Sequence, residues 1–347
     1  MNNISCQSYR VVFDKPWETL DAFIKEKAYS KVFVLVDALT EKYCLPILEQ
    51  KTNFDTHIIS IPSGEKHKTL TTCQIIWSEL INNQADRHSC LLNLGGGVIG
   101  DMGGFCASTF MRGINFVQIP TTLLSQVDAS VGSKLGIDYL DYKNIIGVFN
   151  EPQAVIIDVQ FLDTLIDREL RSGYAEVIKH ALIQDAHLWA ELQSISDLRS
   201  VDWLPIVHKN VHIKKNVVDQ DPYEKGLRKI LNFGHTIGHA VETNYLHQEQ
   251  ALLHGEAIAI GMIAESKIAN KKGLLTDKAF NQIESYILSI YHDLPSTINN
   301  QEQVMDHMKA DKKNKGGVVL SSLVTEIGTC DFDVALEPEE VLKVLDY

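Results

Sequence analysis

The stretch 231–242, LNFGHTIGHAVE, places His235 and His239 at i and i+4, one turn apart on one helical face. A third imidazole, His254, opens the segment HGEA at 254–257. Upstream, RSGYAEVIK at 171–179 sets Glu176 and Lys179 at i and i+3, again on one face. Two imidazoles and one carboxylate, with positions left for substrate oxygens, are the donor set of an open catalytic site for a Zn²⁺-like cation. Spacing alone leaves His235 and His239 as alternative ligands. Other histidines, such as His187, His208 and His307, stand outside this pattern and are read as ordinary core or surface residues.

A second group has chemistry of a different kind. Leu94-Gly95-Gly96-Gly97-Val98-Ile99-Gly100-Asp101 follows a β-rich run and opens a helical one. Adjacent glycines let backbone approach a pyrophosphate closely, and the helix start behind them offers unpaired N–H groups at its positive end. The spacing is not GxGxxG, and a tight turn without a ligand would have the same composition. The Gly103-Gly104 pair that follows predicts close packing of this helix on the sheet or on a cofactor.

These groups need a scaffold. Runs at 31–37, 56–61, 90–94, 114–119 and 154–158 are short, apolar and β-branched without strict alternation. Strands buried on both faces of a parallel sheet read this way. Helical patterns at 69–82 and 99–110 lie between them, the βαβ rhythm of an open, doubly wound Rossmann-like α/β domain. From about residue 165 the texture changes. Segments 168–184, 204–218, 236–244, 255–272 and 277–291 read as amphipathic helices, and β-rich runs return only at 318–324. Two domains are expected: 1–165, α/β and nucleotide-binding, and 166–347, mostly α-helical and metal- and substrate-binding, with a ligand cleft between them.

Composition narrows the function. A hydrophobic fraction of 45% suits a chain that buries a real core. Forty-five acidic residues against 32 basic ones, a formal charge of −13, argue against a nucleic-acid partner. Six scattered cysteines without a CxxC pair read as reduced thiols of a cytoplasmic protein. No signal peptide is evident, and no run reaches the roughly 18–20 apolar residues of a membrane span.

Beyond these single motifs, a collinear series resembles 3-dehydroquinate synthases. It comprises PSGEKHK at 62–68, GGGVIGDMGGF at 95–105, FMRGINFVQIPTTLLSQVDASVGSK at 110–134, KNIIG at 143–147, GYAEVIKH at 173–180, EKGLRKILNFGHTIGHAVE at 224–242, LLHGEA at 252–257 and DKK at 311–313. The resemblance implies NAD, one divalent metal (Zn²⁺ or Co²⁺) and a homodimer. It assigns Glu176, His235 and His254 to the metal, which leaves His239 facing substrate. NAD would meet Asp37, Glu65, Lys68, Gly95, Gly96, Gly97, Val98, Asp101, Thr121, Thr122, Lys143, Phe161 and Thr164. Substrate would meet Asp128, Lys134, Asn144, Lys179, Lys214, Arg228, Asn232, His239 and either Lys312 or Lys313. Arg112 would reach the phosphate bound by the neighbouring subunit. Two positions depart from the family pattern: Leu39 stands where Asn is common, and Ser133 where Gly is usual. A serine fits there only if the backbone avoids the left-handed region.

The implied reaction turns 3-deoxy-arabino-heptulosonate 7-phosphate into 3-dehydroquinate and phosphate, an early step of aromatic biosynthesis. NAD carries a hydride away and back, and the metal acidifies a substrate hydroxyl. Rival readings are an inosose or valiolone cyclase, whose substrates lack the carboxylate that Lys214 and Arg228 would hold, and a glycerol-dehydrogenase-like enzyme, which releases NADH. A non-catalytic nucleotide-binding protein would have no reason to keep Glu176, His235, His239 and His254 together.

Overall fold

The computed structural model describes residues 1–140, 142–246, 248, 251–295, 298–309 and 318–345. They fall into two compact units, Met1–Ile166 with Trp203–Lys215, and Asp167–Asp202 with Asn216–Tyr347.

The first unit is α/β. Its strands are β1 (Ile4–Ser5), β2 (Arg10–Val12), β3 (Val32–Asp37), β4 (His57–Ile61), β5 (Cys90–Gly95), β6 (Asn115–Pro120), β7 (Lys134–Tyr139), β8 (Tyr142–Phe149) and β9 (Ala154–Ile156). Seven form one sheet in the order β1-β2-β9-β6-β5-β3-β4, parallel except for β1 on β2. Its helices are α1 (Pro16–Lys27), α2 (Ala38–Tyr43), α3 (Leu45–Lys51), α4 (Leu70–Asn82) and α5 (Gly97–Thr109), together with Trp203–Lys215, the larger part of a helix that continues in the second unit.

Strand side chains alternate between faces, and both faces here are covered. Val32, Val34 and Val36 of β3 join Trp17, Leu20 and Ile24 of α1 and Leu45 and Leu48 of α3 in one core. Phe33 and Leu35, pointing the other way, join Cys73, Ile76 and Leu80 of α4 and Met102 and Phe105 of α5. That two-sided burial explains why these strands read as continuous apolar runs. The antiparallel hairpin β7–β8 packs Leu135 and Ile137 into the second of these cores, while much of β8 is exposed.

The second unit contains α6 (Asp167–Gln184), α7 (Ala186–Leu192), the end of α8 (Trp203–Gln220), α9 (His235–Tyr245), α10 (His254–Lys271), α11 (Asp277–Ile290), α12 (Gln301–Lys309) and α13 (Pro338–Leu342). An antiparallel hairpin of β10 (Val319–Glu326) and β11 (Thr329–Leu336) accompanies them. Every residue of α6 from Ser172 to Ile183 is buried, and α10 is buried from Gly255 to Ser266. Both helices are therefore covered on every side along these stretches, and α6 buries Glu176, Lys179 and His180 among its apolar residues. No helix among the described residues is long and apolar enough to cross a membrane.

Candidate functional site

In the second unit, Glu176 of α6 is fully buried, and its Oε1 lies 3.4 Å from Nε2 of His235 and 3.4 Å from Nε2 of His254. Its other oxygen pairs with Lys179, also buried. The three imidazoles of His235, His239 and His254 face one another, with donor atoms within 4.8 Å. His239 stands one turn along α9, its ring 5.0 Å from that of His235 and 5.7 Å from that of His254.

The orientation of each imidazole has a local cause. His235 Nδ1 lies 3.0 Å from the Phe233 carbonyl oxygen, so this nitrogen donates and Nε2 presents its lone pair toward Glu176. His254 Nδ1 faces Glu242 Oε2 at 3.4 Å. Glu242 lies at i+7 from His235 and i+3 from His239, the same face of α9. The sequence shows that shared face, but not the contact with His254, which comes from a different helix. At the start of α10, the Arg168 guanidinium of α6 grips both oxygens of Glu256 at 2.7 Å, and the Ser172 hydroxyl accepts from Gly255 N at 3.0 Å. A Cβ at Gly255 would come within 1.8 Å of the Ser172 carbonyl oxygen, so only glycine admits this approach. The helices carrying Glu176 and His254 are thus joined at both side chain and backbone.

Burial opposes the Glu176 charge, but Lys179 and His235 outweigh it and hold the carboxyl well below its usual range. For His254, burial opposes protonation, yet hydrogen bonds to Glu176 and Glu242 carry its pKa up to about 9. His235 is pushed down by burial and by the Lys179 charge. An ionised carboxylate beside an imidazole held neutral by its surroundings is the protonation state that ligands to a cation need.

The remaining predicted substrate residues are placed within their own units. In the first, Lys214 Nζ pairs with Asp128 Oδ1 at 2.6 Å. Lys134 opens β7 and is exposed. Asn144 holds φ of +52°, donates its backbone N–H to Asp138 at 2.7 Å and accepts from Lys68 Nζ at 2.6 Å. Arg112 is exposed and ends the 3-10 turn Phe110–Arg112 that follows α5, where Met111 and Arg112 both hold positive φ, a strained turn for two non-glycine residues. In the second unit, the Arg228 guanidinium is buried and donates to the Pro222 carbonyl at 2.6 Å, while Asn232 donates to Glu224 Oε1 at 2.6 Å. Lys312 and Lys313 lie outside the described residues.

The glycine turn sits where the chain reverses direction across the sheet. β4 lies on one side of β3, and the next strand, β5, returns to the other side. Ligands of open parallel sheets bind at such a switch point, beyond the carboxyl ends of the strands. Asp37 ends β3, and Gly95 ends β5. No side chain caps α5 behind Gly96, so its first amides are available to an anion. A Cβ at Gly96 would come within 3.0 Å of the Thr122 side chain. Gly103 settles the packing question raised above: a Cβ there would meet the Asn93 side chain at 2.1 Å, while one at Gly104 would meet Leu135 at 2.4 Å, so the pair packs on sheet and hairpin.

Nearby, Lys68 is buried and bonded to Asp101 Oδ2 at 2.7 Å. Burial works against its charge, and Asp101 and Glu65 more than restore it. Lys143 lies 3.9 Å from Glu65. Asp37 Oδ1 caps α2 through the amides of Leu39 and Thr40, both at 2.9 Å, so Leu39 takes part through backbone alone and its side chain is exposed. Thr121 is buried, and the Thr122 and Ser125 hydroxyls are 2.8 Å apart. Phe161 lies in the core against Trp17, and Thr164 donates to the Phe161 carbonyl at 2.7 Å. Ser133 adopts φ of +64°, so the serine occupies the left-handed backbone that was expected to exclude it.

Two family models match in succession, "3-dehydroquinate synthase N-terminal" over 58–172 and "3-dehydroquinate synthase C-terminal" over 173–314. The 3-dehydroquinate synthase of Parabacteroides distasonis is 38% identical over 331 residues, 94% of either chain. That of Synechocystis sp. is 42% identical over 302 residues, 85% of this chain and 82% of its own. Among solved structures, the 2-epi-5-epi-valiolone synthase of Streptomyces hygroscopicus, with NAD⁺ and Zn²⁺ bound, has a TM-score of 0.86 at 27% identity, covering 99% of this chain and 98% of that one. A 2-deoxy-scyllo-inosose synthase complexed with carbaglucose-6-phosphate, NAD⁺ and Co²⁺ shares the fold at TM-score 0.88 and 23% identity, covering 99% of both chains. Two adjoining family models, relatives near 40% identity along most of the chain, and a two-unit fold shared with sugar phosphate cyclases agree: this chain belongs to the 3-dehydroquinate synthase family.

Proposed function

We propose that the chain converts 3-deoxy-arabino-heptulosonate 7-phosphate to 3-dehydroquinate and phosphate, with NAD and one divalent cation. The observation that carries this reading is Glu176 Oε1 set 3.4 Å from two imidazole nitrogens inside a chain of this family. Donors about 2.1 Å from a common ion at tetrahedral angles stand roughly 3.4 Å from each other, so the spacing suits Zn²⁺ or Co²⁺ with a position left open. Glu176, His235 and His254 would hold the cation, and the glycine turn with the start of α5 would hold the NAD pyrophosphate. When bound, the cation supplies Lewis acidity and NAD supplies reversible hydride transfer.

The chain's own groups bind and orient. Lys134, Asn144, His239 and the partner's Arg112 would hold the phosphate, and Lys214 and Arg228 the carboxylate. A substrate carrying both a dianion and a carboxylate requires several cations, which a chain of net charge −13 must gather locally. Lys179, already paired with Glu176, would hold its ammonium against substrate oxygens beside the cation. The homodimer and the crossing Arg112 belong to this proposal. Relatives of this name stand at 38–42% identity, whereas the inosose and valiolone cyclases stand at 23–27%, and this favours the carboxylate-bearing substrate.

Incubating metal-loaded protein with NAD and the heptulosonate phosphate should release phosphate and 3-dehydroquinate without net NADH. Net NADH formation would point instead to a simple dehydrogenase, and absence of both products would defeat the proposal. Within the same assay, His239→Ala should slow phosphate release with the metal retained, while His235→Ala should lose the metal. Equal metal content in the two variants, by elemental analysis, would overturn that division of roles.

A further inference from the structure

α9 carries His235 at its first position and His239 one turn on, yet no side chain from the preceding loop caps it. Gly234 occupies the N-cap with φ of +79°. The first amides of a helix have no intrahelical acceptor, and leaving them empty in a buried place is costly. Here the acceptors come from the neighbouring helix. Glu265 of α10 is fully buried, accepting from Gly234 N at 2.7 Å through Oε2 and from Ile237 N at 3.0 Å through Oε1. The positive end of α9 favours a carboxylate there, which offsets the cost of burying the charge.

The backbone geometry leaves this clamp little freedom. A Cβ at Gly261, one turn before Glu265, would lie 1.9 Å from the Gly234 carbonyl oxygen, and one at Gly238 would lie 2.9 Å from the Ala257 carbonyl oxygen. α9 and α10 therefore cross with backbone against backbone, and Glu265 fastens the crossing at the residue before His235. α10 also begins with His254, so one carboxylate joins the helix bearing two imidazoles to the helix bearing the third.

We infer that Glu265 is a positioning residue for the metal centre: by bonding the first amides of α9 it sets where His235 and His239 stand relative to His254. The inference rests on the metal reading proposed above. In the sequence Glu265 is one acidic residue within the apolar run 257–269, and nothing in its spacing to the histidines marks it.

A glutamine at this position keeps one acceptor but turns its amide N–H₂ toward a backbone N–H, setting donor against donor. Metal-free Glu265→Gln titrated with cobalt chloride should bind roughly 10- to 100-fold more weakly than wild type, the range for groups that orient metal ligands, with shifted visible absorption bands. Asp185→Ala is the control. Asp185 caps α7 in the same unit through His187 N at 3.0 Å and Leu188 N at 2.9 Å, so its loss should lower the melting temperature and leave cobalt affinity and spectrum unchanged. Wild-type affinity and spectrum in Glu265→Gln, or equal weakening in Asp185→Ala, would overturn the inference. Should Glu265→Gln fail to fold, Glu265→Asp keeps the carboxylate one methylene short and should bind with intermediate affinity; wild-type affinity there would again overturn it. Wild-type protein that bound no cobalt would instead bring down the metal reading itself.

Discussion

Ser133 holds a left-handed backbone one residue before Lys134, φ of +64°. For an L-residue with a Cβ that conformation costs about 1–2 kcal/mol, whereas glycine adopts it freely. Its backbone is nonetheless committed, because the Ser133 carbonyl accepts from Asn150 N at 3.0 Å. Ser133→Gly should relieve the strain and lose part of the gain to the greater freedom of the unfolded chain, a net stabilisation of roughly 0.5–1 kcal/mol. Thermal unfolding should then show a melting temperature about 2 °C higher; a lower one would show that the serine side chain earns its position through contacts. At this scale the sequence exposed what helical spacing exposes: His235 with His239, and Glu176 with Lys179. It did not mark out Glu242 as the partner of His254, or Glu265 as the acceptor for the first amides of α9. One is an acidic residue on an already marked face, and the other approaches through space from a separate helix.

Among elements, the buried strands were the most legible, since a strand covered on both faces has an apolar run that shorter or exposed strands lack. β3, β4, β5 and β6 fall within a residue or two of the expected runs. β1 and β2, of two and three residues, are too short to show any period. β8 is exposed along much of its length, so its segment drew notice for Lys143 and Asn144 and not as a strand. β11 alternates Cys330, Phe332, Val334 and Leu336 with polar or small residues, a period-2 pattern and not an apolar run. The loop before Arg228 shows how an irregular element is held. Asp221 accepts from Lys225 N at 2.9 Å, Gly226 N at 2.7 Å and Arg228 N at 3.1 Å. Slight burial opposes its charge, and these three donors together bring its pKa below the ordinary 3.8. A carboxyl with a depressed folded-state pKa contributes stability that is present above 3.8 and lost as pH falls through the folded value. Asp221→Asn should therefore be less stable than wild type near neutrality, and the gap should shrink below about pH 4. Melting temperatures taken from pH 7 to pH 3 test this; a gap as wide at pH 3 as at pH 7 would assign the loss to something other than charge.

At the scale of the whole molecule, the two proposed cofactor chemistries draw on separate compact units. The proposed metal donors lie on α6, α9 and α10 of the second unit, and the glycine turn joins β5 to α5 in the first. A ligand that binds only the folded state stabilises what it binds, by about 2.7 kcal/mol at a hundredfold excess over its dissociation constant. If each unit opens on its own, that gain stays local, because exchange in a cooperative segment reports the free energy of opening that segment. Cobalt or zinc added to metal-free protein should then slow amide hydrogen exchange in α6, α9 and α10, and leave β3, β5 and α5 nearly unchanged. NAD added without metal should do the reverse. α8 runs from one unit into the other, with Trp203–Lys215 grouped in the first, and it is the element where both effects should register. Equal slowing of both sets by either ligand would mean that the chain opens as one body, and the assignment of separate ligand chemistry to separate folding units would have to be abandoned.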